Sequence, residues 1–231
     1  MRINKYLAKC GIGSRRKCDE YISSGKIKVD GKKVTDFSFN VNDDSYVQFN
    51  NKLVNKLENV IYMLNKPRGY ICTKNDNLGR KTIYDLLPDK LELFSIGRLD
   101  YDTTGILLVT NDGDLCYKLT HPKFNVNKKY YVFTDKKLSN SDILSIKKGI
   151  KIDNEILKAN VKFLENINNG YFWDVVLTEG KNREIKRIFN FFDIKVLNLH
   201  RYEFSGLRMN ELKEGKFRKI SKKDFNRIIR K

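Results

Sequence analysis

Histidine is almost missing from this chain: among its 231 residues only His121 and His200 are of that type. The four cysteines, Cys10, Cys18, Cys72 and Cys116, form no Cys-x-x-Cys pair and have no histidine cluster nearby, which argues against a zinc site. They read as reduced thiols, mostly buried. No apolar run reaches membrane-spanning length, and the first residues hold no apolar signal core followed by a cleavage site. A cytoplasmic protein with no membrane partner is therefore expected. A P-loop and internal repeats are also absent. Acidic residues are scarce beside basic ones, 28 Asp+Glu against 46 Lys+Arg, which leaves a net charge of +18.

That charge is spread along the chain and interleaved with tyrosine and phenylalanine. Such a field favours a polyanion, and counterion release from phosphates would dominate the affinity. An AT-rich genome would account for lysine in place of arginine, but not for so large an excess of positive charge. With 40% apolar residues the chain can bury a real core and is not a disordered tail.

The first residues read as a compact basic module. Ile3, Tyr6, Leu7 and Cys10 recur at helical spacing, and Gly11-Ile12-Gly13 breaks that helix. Ser14 is placed to cap a second helix through Arg15, Arg16, Cys18, Tyr21 and Ile22, which Gly25 ends. Ile27 to Val34 then alternates across an Asp30-Gly31 turn, a strong hairpin signal. Arg2, Lys5, Tyr6, Leu7, Gly11, Ser14, Arg15, Arg16 and Gly25 fall close to the frame of the S4 RNA-binding domain, which this module resembles. Residues 50–59 are polar and without clear period, so the domain boundary is expected there.

Beyond it, a strand over Val60–Leu64 ends at Lys66-Pro67-Arg68-Gly69, a turn from which Lys66 and Arg68 are expected to project. The densest stretch is Gly97-Arg98-Leu99-Asp100-Tyr101-Asp102-Thr103-Thr104-Gly105, followed by an apolar run of strand length. An acid at the mouth of a buried strand suits a nucleophile or general base. Position alone equally allows a structural loop acid paired with Arg98. Asp100, Asp102, Asp112 and Asp114 invite a magnesium reading, but the last two stand where helix caps belong, so no metal is expected. A second dense stretch, Glu179 to Phe189, puts Ile185, Ile188, Phe189 and Phe192 on one helical face. Arg183, Lys186, Arg187 and Asn190 fall on another, suited to a carboxylate or phosphate.

Four blocks occur in order: Lys66-Pro67-Arg68-Gly69, Gly97-Arg98-Leu99-Asp100 with Thr103-Thr104-Gly105, Lys128-x-Tyr130, and Glu179-Gly180-Lys181-Asn182-Arg183-Glu184. Over nearly its whole length the chain closely resembles the RsuA/RluB/RluE/RluF family of ribosomal RNA pseudouridine synthases, which also carry an amino-terminal S4 domain. Members usually read Thr-Ser-Gly where this chain has Thr103-Thr104-Gly105, one hydroxyl for another. The resemblance implies that Asp100 is the essential aspartate, Tyr130 the ring that stacks on the flipped uracil, and Lys186 the cation paired with the aspartate. Arg98, Thr103, Thr104, Lys128, Arg183 and Arg187 are expected to serve substrate RNA, as are Lys66 and Arg68. In the S4 module Arg2, Lys5, Ser14, Arg15 and Arg16 are expected to do so.

The implied fold is α+β. A small S4 domain (two helices plus a hairpin, residues 1–56) precedes a catalytic domain (57–231) with a mixed, mostly antiparallel sheet flanked by helices. The implied reaction needs neither metal nor organic cofactor. The implied partner is ribosomal RNA, free or in an assembly intermediate, bound by a monomer. The large-subunit RluB type is the nearest pattern. A small-subunit RsuA-type enzyme and a non-catalytic ribosome-assembly factor are the alternatives.

Overall fold

The computed structural model describes residues 1–88, 92–167 and 169–229. The chain divides into two compact units, Met1–Val60 with residues 92–94, and the remainder.

In the first unit, α1 (Ile3–Lys9) and α2 (Arg15–Ser23) precede four short strands, β1 (Ile27–Val29), β2 (Lys32–Val34), β3 (Val47–Phe49) and β4 (Lys52–Leu53). The Ser14 hydroxyl accepts from the Lys17 amide at 3.2 Å, the cap that starts α2. Asp30 and Gly31 both take positive φ, 49° and 79°, the backbone a two-residue hairpin turn demands. The sheet runs β2-β1-β3-β4. Asn50 and Asn51, with φ of 49° and 63°, turn the chain so that Lys52–Leu53 closes its edge. Ile3, Leu7, Cys18, Ile22, Ile27 and Val47 fill the core beneath. Arg2, Ser14, Arg15 and Arg16 are exposed and Lys5 is half-buried.

The second unit contains β5 (Ile61–Lys66), β7 (Thr104–Thr110), α3 (Gly113–Thr120), β8 (Lys128–Thr134) and α4 (Asn140–Lys148); a two-residue β6, Phe94–Ser95, spans the point in the sequence where the units divide. It continues through β9 (Ile150–Ile152), β10 (Glu155–Leu157), β11 (Asn160–Ile167), β12 (Gly170–Leu177) and α5 (Glu184–Asn190). The chain then forms β13 (Val196–Phe204), β14 (Leu207–Arg208), β15 (Phe217–Lys219) and α6 (Lys222–Ile229). The main path of its large sheet is β11-β12-β8-β13-β7-β5-β15. Every pairing on that path for which a register is given is antiparallel except β13 with β7. This is the mixed, mostly antiparallel sheet that the resemblance implies.

The near-continuous apolar run of β7 explains its central place: Ile106, Leu107, Leu108 and Val109 are all fully buried, so both faces of the strand are covered. Ile106 and Leu108 pack with Met63, Leu115 and Leu119. The Asp112 carboxylate starts α3 by accepting from the amides of Asp114 and Leu115. Farther along, the buried Trp173 indole donates to Thr134 Oγ1 at 2.9 Å, and Phe189 of α5 meets its ring edge-on at 6.1 Å. That contact seats α5 on the sheet and thereby aims its polar face.

Lys66 departs from expectation. It does not project from the Pro67–Gly69 turn but is fully buried, while Arg68 is exposed. Its ammonium donates to the carbonyls of Pro67 and Thr103, both at 2.9 Å. A lysine can stay buried only where its donors are used, and here backbone oxygens use them.

Candidate active site

The loop that carries Asp100 is fastened from three directions. Cys72 Sγ donates to the Leu99 carbonyl at 3.3 Å and accepts from the Leu99 amide at 3.5 Å. The Gly69 amide donates to the Tyr101 carbonyl at 2.8 Å. The Lys66 ammonium holds the far end, at Thr103. Within the loop, the Thr103 amide donates to the Asp100 carbonyl at 3.1 Å. Asp100 is thus presented on a tight turn whose neighbours are fixed, although its side chain remains 36% exposed.

The partner of Asp100 is not Arg98. Lys186 of α5 places its ammonium 3.5 Å from an Asp100 carboxylate oxygen and hydrogen-bonds the Asp102 carboxylate as well. Burial pushes the Asp102 carboxyl up, but the Lys186 hydrogen bond and charge outweigh it and hold the group below its usual range. Lys186 reaches this place because Ile185, Ile188 and Phe189 anchor the opposite side of α5 in the core. The start of α5 is set by Glu184, whose carboxylate accepts from the Lys181 amide at 2.9 Å; burial raises its pKa.

These groups open onto a cleft of about 500 Å³. Asp100, Lys186 and Tyr130 line it together, with Arg98, Lys128 and Arg183 also on its wall. Tyr130 lies on β8 between Val175 of β12 and Arg201 of β13, and is 7% exposed. Its ring belongs to the cleft wall. Lys128, two residues earlier on the same strand face, donates to the Val126 carbonyl at 2.9 Å. Burial, helped by the charge of Arg201, pushes the Lys128 ammonium down to about 8. Thr103 lines the cleft with its hydroxyl buried and without a partner among the described residues.

Other expected residues are placed elsewhere. Arg187 turns to the β9–β10 hairpin, where Asp153 lies 3.1 Å away and Glu155 2.5 Å away, so its charge is already answered. Thr104 bonds His200 Nδ1 at 2.8 Å and is not on the cleft wall. Lys66 acts behind the loop, as described. Arg201 went unrecognised in the sequence, yet it lines the cleft and is 2% exposed. The readable signal was phase: Leu199, Arg201 and Glu203 alternate with His200 and Tyr202, so an arginine stands where an inward-facing residue belongs.

Chemically, the arrangement offers a carboxylate held against an ammonium, an aromatic wall, and apolar surface from Ile71, Leu177 and Leu199. A flat polar heterocycle on a phosphate-linked sugar suits such a cleft, with the carboxylate free to attack carbon or take a proton. Among the described residues no three histidine, cysteine, aspartate or glutamate side chains converge as a metal site. No helix among them is long and apolar enough to cross a membrane.

The profile of the RNA pseudouridylate synthase family matches residues 60–191, and that of the S4 domain matches residues 1–45. A Bacillus subtilis protein named ribosomal large subunit pseudouridine synthase B is 34% identical over 98% of this chain and 95% of its own. An uncharacterised RNA pseudouridine synthase of Rickettsia felis is 36% identical, over 96% of this chain and 97% of its own. A crystal structure of a pseudouridylate synthase superposes with a TM-score of 0.72 at 28% identity, covering 99% of this chain and all of that one.

Proposed function

This chain belongs to the RNA pseudouridylate synthase family and acts on RNA, and we propose that its substrate is a uridine of large-subunit ribosomal RNA, isomerised in the cleft that holds Asp100. The observation that carries the site is the Lys186 ammonium 3.5 Å from the Asp100 carboxylate, on a cleft walled by Tyr130. Support for the target comes from the likeness to the Bacillus subtilis large-subunit enzyme along nearly the whole of both chains.

Uridine must lose its bond from C1′ to N1 and gain one from C1′ to C5, with no net change of atoms. The base is first turned out of its stack, and the Tyr130 ring offsets the stacking that is lost, worth roughly 1–3 kcal/mol per base. Asp100 then acts through its carboxylate, as a nucleophile at C1′ or at C6, or as the base that removes the 2′ proton. Lys186 steadies that carboxylate and limits its approach to one direction. Arg98 and Arg183 are exposed on the rim, where phosphates of the flanking nucleotides would meet them. Arg2, Lys5, Ser14, Arg15 and Arg16 serve RNA from the amino-terminal unit, which on this reading spans residues 1–56 and is joined through 50–59 to a catalytic domain over 57–231. The protein works as a monomer in the cytoplasm, on free RNA or an assembly intermediate.

The test is to incubate the protein with undermodified ribosomal RNA and map pseudouridine in both subunits' RNA. Wild type is expected to mark a large-subunit position and Asp100→Ala none. Product confined to small-subunit RNA would replace the target. Absence of product from wild type, or equal product from Asp100→Ala, would remove the catalytic reading.

A further inference from the structure

A buried guanidinium stands on the wall of the cleft with no acid among the described residues to answer it. Arg201 is 2% exposed and belongs to the same cleft wall as Asp100 and Tyr130. Its Nε donates to the Ile106 carbonyl at 2.7 Å, and its Cζ lies 4.8 Å from the centroid of the Phe204 ring. Its Nη2 is buried and has no hydrogen-bond partner among the described residues. Among the described residues no carboxylate forms an ion pair with it, although buried charges are ordinarily paired. Two further features share the wall: the Lys128 ammonium and the unpartnered hydroxyl of Thr103. Positive charge and unused hydrogen-bonding capacity thus collect where a base would enter.

The reaction generates the matching charge. In either route that frees the base, the bond from C1′ to N1 breaks with both electrons leaving on uracil, and the anion spreads over N1, O2 and O4. The sugar is balanced at Asp100, either by an ester bond at C1′ or by passage of the 2′ proton to the carboxylate. After the base turns, the electron pair at C5 forms the new bond to C1′ while the ester breaks or the 2′ proton returns. The proton on C5 departs and N1 regains one.

We propose, resting on the reading of the cleft given above, that Arg201 holds the departing uracil as an anion, with its free N–H directed at a carbonyl oxygen of the base. Donors fixed in advance toward a developing charge, in a cleft that excludes water, act more strongly than the same donors in water. Phe204 and the Ile106 carbonyl keep the guanidinium plane in place, so little is reorganised when the bond breaks. The geometry also explains why an arginine is buried here without an acid: a permanent carboxylate would already have claimed the charge.

The test compares single-turnover rates on RNA carrying uridine or 5-fluorouridine at the mapped position, reading disappearance of the target nucleoside. Fluorine makes the departing base more acidic and less in need of a cation. Arg201→Gln is expected to slow the uridine reaction about 100-fold and the 5-fluorouridine reaction less than about 10-fold, the scale for losing one such donor. An equal loss on both bases, or full activity on uridine, overturns the proposal. Arg201→Lys keeps a cation and is made alongside, with both folds checked by thermal melting. Should only the lysine variant fold, uridine activity within about 10-fold of wild type supports the proposal, and a loss of about 100-fold on both bases overturns it. A wild type that makes no pseudouridine at all would instead remove the functional reading, which keeps the two failures apart.

Discussion

Lys66 and Thr103 are joined end to side: the buried ammonium of the first donates to the backbone carbonyl of the second at 2.9 Å. One strand terminus therefore holds the loop that presents Asp100 from behind, and burial lowers the pKa of the lysine that does it. Lys66→Met would fill the same space but leave the Pro67 and Thr103 carbonyls without this donor. A stability loss of about 2 kcal/mol in urea denaturation is expected, since each buried acceptor left open costs roughly 1–3 kcal/mol. The turnover rate should fall further than RNA affinity, because the loop that carries Asp100 loses its brace at Thr103.

Asp102 shares Lys186 with Asp100 but is the more exposed of the two, at 53% against 36%. Asp102→Asn is expected to keep turnover within about tenfold of wild type, whereas Asp100→Asn should abolish it. The folded-state pKa of Asp102 is lowered from a reference of 3.8. Its contribution to stability is therefore present above that reference and lost as pH falls through the folded value. Denaturation curves of wild type and Asp102→Asn should differ at pH 6 and converge as the pH is brought below about 4.

Lys128 carries the opposite sign. Its folded pKa of about 8 lies below the reference of 10.5, so the folded state resists the proton that the unfolded chain accepts. Stability then rises with pH between those two values. Lys128→Met should melt higher than wild type at pH 7, and the gap should close as pH approaches about 10. Melting temperature against pH for the pair checks this. A gap that widened with pH would contradict the burial of the ammonium.

Gly105 has a φ of 108°, and a Cβ built there would stand 2.2 Å from the Arg201 carbonyl oxygen. Backbone cannot move aside as a flexible side chain does. Gly105→Ala should lose about 3 kcal/mol or more through overpacking and strain, read as insoluble protein or a collapsed melting temperature.

Local chemistry made much of this legible beforehand. The Asp30-Gly31 turn, the Ser14 cap and the Asp112 cap are decided by a few adjacent residues, and each is found where the pattern put it. The resemblance supplied Asp100, Tyr130 and Lys186, and the helical phase of α5 independently grouped Lys186 with Arg183. What could not be read depends on partners far along the chain. All but one of the β5 residues are buried, so alternation gave no hint that Lys66 turns inward toward residue 103. Arg187 looked free on its helix face because Asp153 and Glu155 come from a hairpin that only folding brings near. Arg201 stands in the inward phase of its strand, but its place on the cleft wall depends on β13 lying between β7 and β8.

The Thr104 hydroxyl and His200 Nδ1 meet at 2.8 Å although 96 residues separate them along the chain. A polypeptide leaving the ribosome therefore presents Asp100 well before β13, the strand that pairs with β7 beside Thr104, has been synthesised. The sheet beside Thr104 must wait for a late, distant pairing of the slow-forming kind. Products truncated before β13 would lack the parallel partner of β7 at Thr104 and Gly105.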